Sequence, residues 1–207
     1  MTSIKYITID DSIDKNENHP PEDRRLNLAY EDLTEVPCSL ADRFGWWVQI
    51  LDLSYNKISD VSFLAYFERL HTVILDRNQI NSGTRFPQIP SLRILWLNHN
   101  RISSLVAFLP NLSKNCPNLE NLSLMGNIGA PSFLNGATPN QHFHYRLYVI
   151  SLLPKLRFLD DKWISVHEKD EAYKFDNLLS NILNVLRKMK KSTLQICQNQ
   201  HNNAKIV

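Results

Sequence analysis

The chain has 207 residues, of which 43% are hydrophobic and 21% are charged, and its formal net charge is +2. These values predict one globular domain with enough apolar material for a core, and the small net charge excludes any inference of a nucleic-acid or membrane partner from bulk electrostatics. The charge is uneven, because residues 1–24 hold six acids and three bases whereas residues 174–207 hold six bases and one acid. This asymmetry indicates two polar ends in different environments.

The cysteines and the N-terminus indicate the compartment. Cys38, Cys116 and Cys197 are widely spaced and form no CxxC pair, so neither a disulfide framework nor a zinc site is expected. The N-terminus lacks the apolar segment of a signal peptide, and no run approaches the roughly 18 apolar residues of a membrane-spanning helix. We therefore expect an intracellular protein, cytoplasmic in the first place and nuclear as the alternative.

Residues 1–25 are interpreted as a polar N-terminal arm. The arm begins with the alternation IKYITID, which is typical of a short strand, and continues to His19-Pro20-Pro21, which predicts an extended connector. The strand would shield the open edge of a sheet, and a disordered arm is the alternative.

A recurring pattern dominates residues 26 to about 130. The stretch LDLSYNKI, residues 51–58, has two leucines two positions apart and an asparagine three positions after the second leucine. The asparagines of the four copies are spaced by 22, 22 and 27 residues, and they are Asn56, Asn78, Asn100 and Asn127. A degenerate leading copy has leucines at the matching offsets and Glu31 in place of the asparagine. This is the leucine-rich-repeat pattern.

The repeat predicts the fold. Each copy makes one short strand with inward leucines, and copies must stack because one repeat cannot bury its apolar face. We interpret the asparagines as a structural ladder, since an amide both donates to and accepts from backbone groups left inside each turn. The predicted class is an α/β repeat solenoid, a short leucine-rich-repeat horseshoe with a parallel concave sheet, a C-terminal cap and an extra C-terminal helix.

Several local elements can be placed on this frame. Residues 37–47 predict an amphipathic helical turn ended by Gly45, after which at least one of Trp46 and Trp47 packs in the core. Residues 131–144 are dense in turn formers and predict a loop. Within it, His142 and His144 could share a metal ion, but no third ligand is evident, so no metal site is assigned.

The rest of the chain predicts a cap, a helix and a tail. Tyr145, Val149, Leu152 and Leu153 fall at helical spacing, Pro154 ends that helix, and a final strand at residues 156–159 closes the stack. The repeat domain with its cap is therefore assigned to residues 26–166, an amphipathic helix to 167–191, and a disordered tail to 192–207. The apolar stripe of the helix comprises Tyr173, Phe175, Leu178, Leu179, Ile182, Leu183, Leu186 and Met189.

Three interpretations of this C-terminal helix remain open. It packs on the solenoid, it docks in a groove of a partner, or its basic end makes weak contact with a membrane surface. The basic end consists of Arg187, Lys188, Lys190 and Lys191.

Three segments carry a resemblance to a known family. Residues 42–58 (DRFGWWVQILDLSYNKI), 116–127 (CPNLENLSLMGN) and 145–160 (YRLYVISLLPKLRFLD) resemble the melanocyte differentiation-associated family of intracellular leucine-rich-repeat proteins. The last segment is also similar to the cap of the U2 small nuclear ribonucleoprotein A-prime family. The resemblance implies a non-enzymatic adaptor in pigment-organelle and endosomal trafficking, with a Rab-type small GTPase or an endosomal sorting complex as partner. The resemblance identifies no individual residue of a partner-binding site.

The outward strand positions predict a partner surface on the concave sheet. One predicted column is Asp52, Ile74, Trp96 and Ser123, and the next is Ile50, Thr72, Ile94 and Asn121. Exposed apolar area centred on a tryptophan favours a binding site, although the C-terminal helix or the N-terminal arm could instead cover it. Asp52, Asp76 and Arg77 are expected to form a polar rim. The predicted partner-binding residues are Ile50, Asp52, Tyr55, Ile74, Asp76, Arg77, Ile94, Trp96, Asn98 and His99.

The motif content favours an adaptor over other classes. The chain carries no phosphate-binding loop, GxSxG or HExxH pattern, so we expect no catalysis and no cofactor. A ribonucleoprotein component is the alternative, but the concave strands offer few basic residues, so direct RNA binding is not expected. A cytoskeletal or axonemal regulator is a third possibility that the sequence does not separate from the first. We expect a monomer.

Overall fold

The structure, a computed structural model, describes residues 24–132 and 135–178 together with the single residues 22 and 181. Within this part of the chain, seven short strands form one sheet whose spatial order follows the chain order. Neighbouring strands pair in parallel from the first to the sixth, and the seventh pairs antiparallel with the sixth. The strands are β1 Arg25–Asn27, β2 Ile50–Asp52, β3 Thr72–Ile74, β4 Ile94–Trp96, β5 Asn121–Ser123, β6 Phe158–Leu159 and β7 Lys162–Trp163. This architecture confirms the predicted leucine-rich-repeat solenoid.

The core lies behind the sheet, where the repeat leucines stack in line. Side chains alternate between the two faces of a strand, so the residue at the middle of each strand and the residue two positions later both point inward. The inward residues from β2 to β5 are all fully buried, and they are Leu51, Leu53, Val73, Leu75, Leu95, Leu97, Leu122 and Leu124. The positions between them therefore face the concave side.

Helical connectors return the chain from the end of one strand to the start of the next. They are α1 (Cys38–Phe44), the 3₁₀ helix η1 (Ser62–Tyr66) and α2 (Leu105–Asn115). Gly45 ends α1 as predicted. Trp47 is 6% exposed and Trp46 is 50% exposed, which confirms that one tryptophan packs in the core.

The helix α2 accounts for the longer spacing between the last two ladder asparagines. It supplies an 11-residue connector where η1 has five residues, so the repeat that contains it needs a longer chain. Ser104 caps its N-terminus by accepting from the backbone N–H of Ala107. The sequence did not predict this helix, because Pro110 lies inside it and proline normally argues against a helix interior.

The predicted loop at residues 131–144 is wrong over its second half. The helix α3 spans Pro139–Leu152, so residues 139–144 are helical. A capping box starts the helix, because the Thr138 hydroxyl accepts from the Gln141 backbone N–H while the Gln141 side chain accepts from the Thr138 N–H. Pro139 at the first helical position has the φ that a helix start requires. The sequence TPNQ carried this signal, and the density of turn formers around it hid the helix.

A further helix, α4, covers residues 166–178 and begins one residue before the predicted start. A second capping box, between Ser165 and Glu168, begins it. Arg146 of α3 is 4% exposed, and its Nε lies 2.6 Å from Glu168 Oε1, so a buried ion pair ties α4 to the cap. Ala172 of α4 packs on the cap beside Leu147.

Several predictions fall outside the described residues. These are the arm at residues 1–21, the stripe residues Leu179, Ile182, Leu183, Leu186 and Met189, the basic end, the tail and Cys197. Of the stripe residues that are described, Tyr173 and Leu178 are 71% and 59% exposed, while Phe175 packs against the cap. The first turns of the helix therefore pack on the solenoid through one side only.

Candidate functional site: the concave face

The four ladder asparagines lie buried behind the concave sheet. Asn78 is typical, because its Oδ1 accepts from the Ile58 backbone N–H at 2.9 Å and its Nδ2 donates to the Leu53 and Leu75 carbonyls at 2.9 and 3.2 Å. Asn56, Asn100 and Asn127 repeat this geometry. Each accepts from a backbone N–H of the preceding repeat, and each donates to one carbonyl of that repeat and to one of its own. These amides satisfy buried backbone groups and face away from any partner.

The outward strand residues form the two columns that the repeat predicts. Ile50 pairs with Thr72 and then Ile94, and Asp52 pairs with Ile74 and then Trp96. The three isoleucines are half-buried, and the indole of Trp96 is 39% exposed at the centre of the sheet. The predicted apolar residues are therefore brought together on one surface.

The apolar surface extends further than the sequence predicted. Phe158 of β6 continues the Ile50 column beyond Asn121, and Trp163 of β7 pairs with Phe158. The two rings meet edge to face with centroids 5.3 Å apart, and Trp163 is 68% exposed. We call these residues the concave patch: Ile50, Ile74, Ile94, Trp96, Phe158 and Trp163. Sequence reasoning missed Trp163 because β7 is antiparallel and follows no repeat. It missed Phe158 because β6 belongs to the cap, where no ladder asparagine marks the register.

One residue of the predicted polar rim is buried in an internal ion pair. Asp52 is 8% exposed, and its Oδ2 lies 2.6 Å from Arg25 on the neighbouring strand. Its Oδ1 accepts from the Ser54 hydroxyl and the Ser54 backbone N–H. Both oxygens thus have partners within the sheet, so Asp52 organises the surface and is not a solvated rim residue.

Asp76 and Asn98 form a second internal network. Asp76 accepts from the backbone N–H and the side-chain amide of Asn98, at 2.8 and 3.1 Å. Asn98 Oδ1 in turn accepts from the Ser123 hydroxyl and the Met125 backbone N–H. The chain of bonds joins three successive repeats and fixes the polar border of the concave patch.

The residues that precede the ladder asparagines stack along one edge of the sheet. Tyr30, Tyr55, Arg77 and His99 all have positive φ, between 53° and 65°, and Gly126 takes the same position in the next repeat. The rings of Tyr30 and Tyr55 stack at 4.2 Å, and Arg77 Cζ lies 5.2 Å from the Tyr55 centroid. A Cβ at Gly126 would overlap the His99 imidazole. We call this column the rim stack, and its predicted members Tyr55, Arg77 and His99 border the patch together.

A groove of about 1040 Å³ separates the rim stack from the cap. Its floor includes Asn98 and Met125, and its far wall includes Gln141, His142 and Lys162. Loss of hydration, followed by the positive charges of Arg146 and Lys162, lowers the pKa of His142. The groove therefore has a neutral imidazole on one wall at physiological pH.

Asp160 lines this groove at the cap, and the buried Tyr145 lies behind it. The Tyr145 hydroxyl donates to Asp160 Oδ2 at 2.7 Å, and Asp160 Oδ1 accepts from the Leu124 backbone N–H. Burial raises the pKa of the Tyr145 phenol and that of the Asp160 carboxyl. Tyr145 and Asp160 thus tie the cap to the last repeat, which is a structural role.

The described residues form neither a metal site nor a membrane-spanning helix. His142 and His144 lie two positions apart on α3, and residues two apart on a helix do not face each other. Across residues 24–132 and 135–178, no three His, Cys, Asp or Glu side chains gather in a way that could hold a metal ion. In the same ranges, no helix is long and apolar enough to cross a membrane.

Parallel strands stacked by an asparagine ladder behind an open concave sheet define a repeat protein of the protein-interaction class. A family described as "Leucine-rich repeat" matches residues 41–181, and the chain belongs to this leucine-rich repeat family. The match is to an interaction repeat and not to a catalytic family.

Curated relatives confirm the resemblance in the sequence. The human leucine-rich melanocyte differentiation-associated protein is 37% identical over 127 residues, which are 59% of this chain and 64% of that protein. The U2 small nuclear ribonucleoprotein A' of Arabidopsis thaliana is 35% identical over 127 residues, which are 59% of this chain and 45% of that protein. The chain thus spans between about half and two thirds of the length of these relatives.

A solved structure has the same fold. The Drosophila melanogaster SNF/U2A' complex contains a chain that matches with a TM-score of 0.57 at 26% identity. The match covers 73% of this chain and 80% of that chain.

Proposed function

We propose that this protein is a non-catalytic adaptor that binds a protein partner on the concave patch. The observation that carries the proposal is the exposed indole of Trp96 at the centre of a sheet face lined by three isoleucines. Exposed contiguous apolar area is costly in water, and tryptophan is enriched among the residues that contribute most to binding. The rim stack and the Asp76–Asn98 network supply the polar border that surrounds the apolar centre of such interfaces.

The charges of the face favour a protein partner over RNA. Arg25 is paired with Asp52, and Glu120 lies 3.5 Å from Arg93 and 3.7 Å from Arg157. RNA binding requires a dense stripe of basic side chains that are available to phosphates. Arg25, Arg93 and Arg157 already have carboxylate partners, and Arg77 of the rim stack lies over the Tyr55 ring. A partner with a matching apolar surface fits this face better than a polyanion.

Two kinds of partner follow from the relatives. The first is a Rab-type small GTPase or an endosomal sorting complex in pigment-organelle or endosomal trafficking, which is what the resemblance to the melanocyte differentiation-associated family implies. The similarity to the A' proteins and to a chain of the SNF/U2A' complex supports a ribonucleoprotein protein as the alternative. With the first kind of partner the proposed adaptor acts in the cytoplasm, and with the second it acts in the nucleus.

Affinity capture with quantitative mass spectrometry tests the proposal. The wild type is compared with Trp96→Ala and with Tyr173→Ala, which removes an aromatic side chain that is 71% exposed on α4. We expect the partner to be recovered by the wild type and by Tyr173→Ala and lost with Trp96→Ala. Recovery of Rab or endosomal sorting proteins supports the first kind of partner, and recovery of spliceosomal proteins supports the second. Equal recovery by all three proteins would place binding away from the concave patch.

A further inference from the structure

A notch of about 370 Å³ lies between α1 and η1. These two elements connect successive parallel strands, and such connections lie on one side of the sheet, opposite the concave face. The notch is therefore a surface separate from the concave patch. We call it the α1–η1 notch, and its lining residues are Ala41, Asp42, Trp46, Ala65, Tyr66 and Glu68.

Two exposed aromatic side chains form the walls of the notch. Trp46 is 50% exposed and Tyr66 is 59% exposed. The backbone of Trp46 is held in place because the next residue, Trp47, is buried and meets Phe44 edge to face with centroids 6.0 Å apart. The protein thus buries one tryptophan of the pair and presents the other to solvent on a fixed support.

Backbone contacts hold together the two segments that carry Trp46 and Tyr66. The Gly45 N–H donates to the Ala41 carbonyl at 2.7 Å, and the Gly45 carbonyl accepts from the Glu68 N–H at 3.1 Å. A Cβ at Gly45 would overlap the Tyr66 carbonyl, so only glycine permits this approach of α1 and η1. A site with walls fixed in advance loses little entropy when a ligand binds.

Two carboxylates give the notch its charge. Asp42 and Glu68 are both exposed, and within residues 24–132 and 135–178 neither has an ion pair. The lining contains no basic residue, so its formal charge is −2. A cation over an aromatic face is attracted by the electrons of the ring, and nearby carboxylates add a Coulombic attraction.

We infer that the α1–η1 notch binds the cationic side chain of a protein partner, either a lysine ammonium or an arginine guanidinium. The aromatic walls contact the alkyl stem and the face of the cation, and Asp42 and Glu68 accept its hydrogen bonds. A choline headgroup is also a cation, but its phosphate would be repelled by the two carboxylates. A protein side chain therefore fits the notch better than a lipid surface.

The test is an NMR titration of the full-length protein with short peptides. The probes are acetylated and amidated peptides Gly-Gly-X-Gly-Gly, where X is lysine, arginine or the uncharged norleucine. The Trp46 indole N–H signal is assigned by its loss in Trp46→Phe. We expect the lysine or arginine peptide to shift this signal with a dissociation constant of about 10–100 mM, as an exposed cation–π contact with two exposed carboxylates allows, and norleucine to leave it unchanged.

Charge variants decide whether the carboxylates take part. Asp42→Asn and Glu68→Gln should each weaken binding of the cationic peptide about twofold to fivefold, in the range of exposed ion pairs. Asp176→Asn on α4 removes the same charge elsewhere and should leave the affinity unchanged. The dissociation constants of the lysine and arginine peptides show which cation the notch binds more tightly.

Four results would overturn the inference. They are an unchanged Trp46 signal with both cationic peptides, an equal shift with norleucine, equal weakening by Asp42→Asn and Asp176→Asn, and a shift with phosphatidylcholine vesicles but with neither cationic peptide.

Discussion

Replacing Asn78 by alanine should destabilise the protein because it leaves one buried backbone donor without a partner. The Ile58 N–H loses its acceptor, Asn78 Oδ1. The Leu53 and Leu75 carbonyls each keep a second amide donor, from Asn56 and Asn100 respectively. An unsatisfied buried group costs about 1–3 kcal/mol, and each of the two other lost hydrogen bonds adds about 0.5–1.5 kcal/mol, so we expect a loss of about 2 kcal/mol or more in the free energy of unfolding.

Urea unfolding followed by circular dichroism and tryptophan fluorescence measures this loss. The matched control is Asn140→Ala, which removes an exposed asparagine of α3 and should change stability by less than about 0.5 kcal/mol. An unfolding midpoint of Asn78→Ala equal to that of the control would refute the ladder as a source of stability.

A second substitution at this position separates the donor from the acceptor. Asn78→Asp keeps the acceptor for Ile58 but turns a carboxylate oxygen toward the Leu53 and Leu75 carbonyls. Burial and these carbonyls should raise the pKa of the introduced carboxyl above its unfolded value. Protons then bind more tightly to the folded state, so the stability of Asn78→Asp relative to wild type should rise as the pH falls toward 4. A pH-independent difference would contradict the donor role.

The remaining predictions concern the core, the cap and the rim stack. Trp47→Ala should cost about 3–5 kcal/mol in urea unfolding, whereas exposed Trp46→Ala should cost less than about 1 kcal/mol, and equal costs would contradict their assigned environments. Burial alone would raise the pKa of Glu168, but hydrogen bonds from Arg146 and Ser165 outweigh burial and lower that pKa. The wild type should therefore lose stability relative to Glu168→Gln as the pH falls through 4.5 and below. Hydrogen exchange of α4 amides at two pH values measures this, and parallel curves for the two proteins would contradict it. Gly126→Ala should cost about 1–3 kcal/mol through its φ of +74° and its overlap with His99, and His99→Ala should recover part of that loss in a double-mutant cycle.

The repeat made much of the fold predictable. Because the side-chain period of a strand is two, the offsets of the leucines determine which residues point inward. The 22-residue spacing aligns Ile50 with Ile94 in one concave column and Ile74 with Trp96 in the other. The asparagines follow from the same regularity, since every copy leaves the same backbone groups inside the stack. Local rules of this kind act within one repeat and are therefore visible in the sequence.

Features that depend on contacts between distant residues were not predictable. Asp52 looked like a rim residue, and only the position of Arg25, 27 residues earlier, makes it a buried ion pair. Trp163 joins the concave patch because β7 turns back on β6, which no repeat encodes. The start of α3 is a different case, because the Thr138–Gln141 capping box was present in the sequence and the neighbouring turn formers concealed it.

The most direct test of the concave face is the affinity of the purified partner, measured by isothermal titration calorimetry. The three proteins are wild type, Trp96→Ala and Tyr173→Ala, and circular dichroism confirms that each is folded at the temperature of the titration. If Trp96 lies at the centre of the interface, its removal should weaken binding by about 2 kcal/mol or more, which is roughly 30-fold, while Tyr173→Ala binds like the wild type. A dissociation constant for Trp96→Ala within twofold of the wild type would contradict the proposal that the concave patch is the binding site.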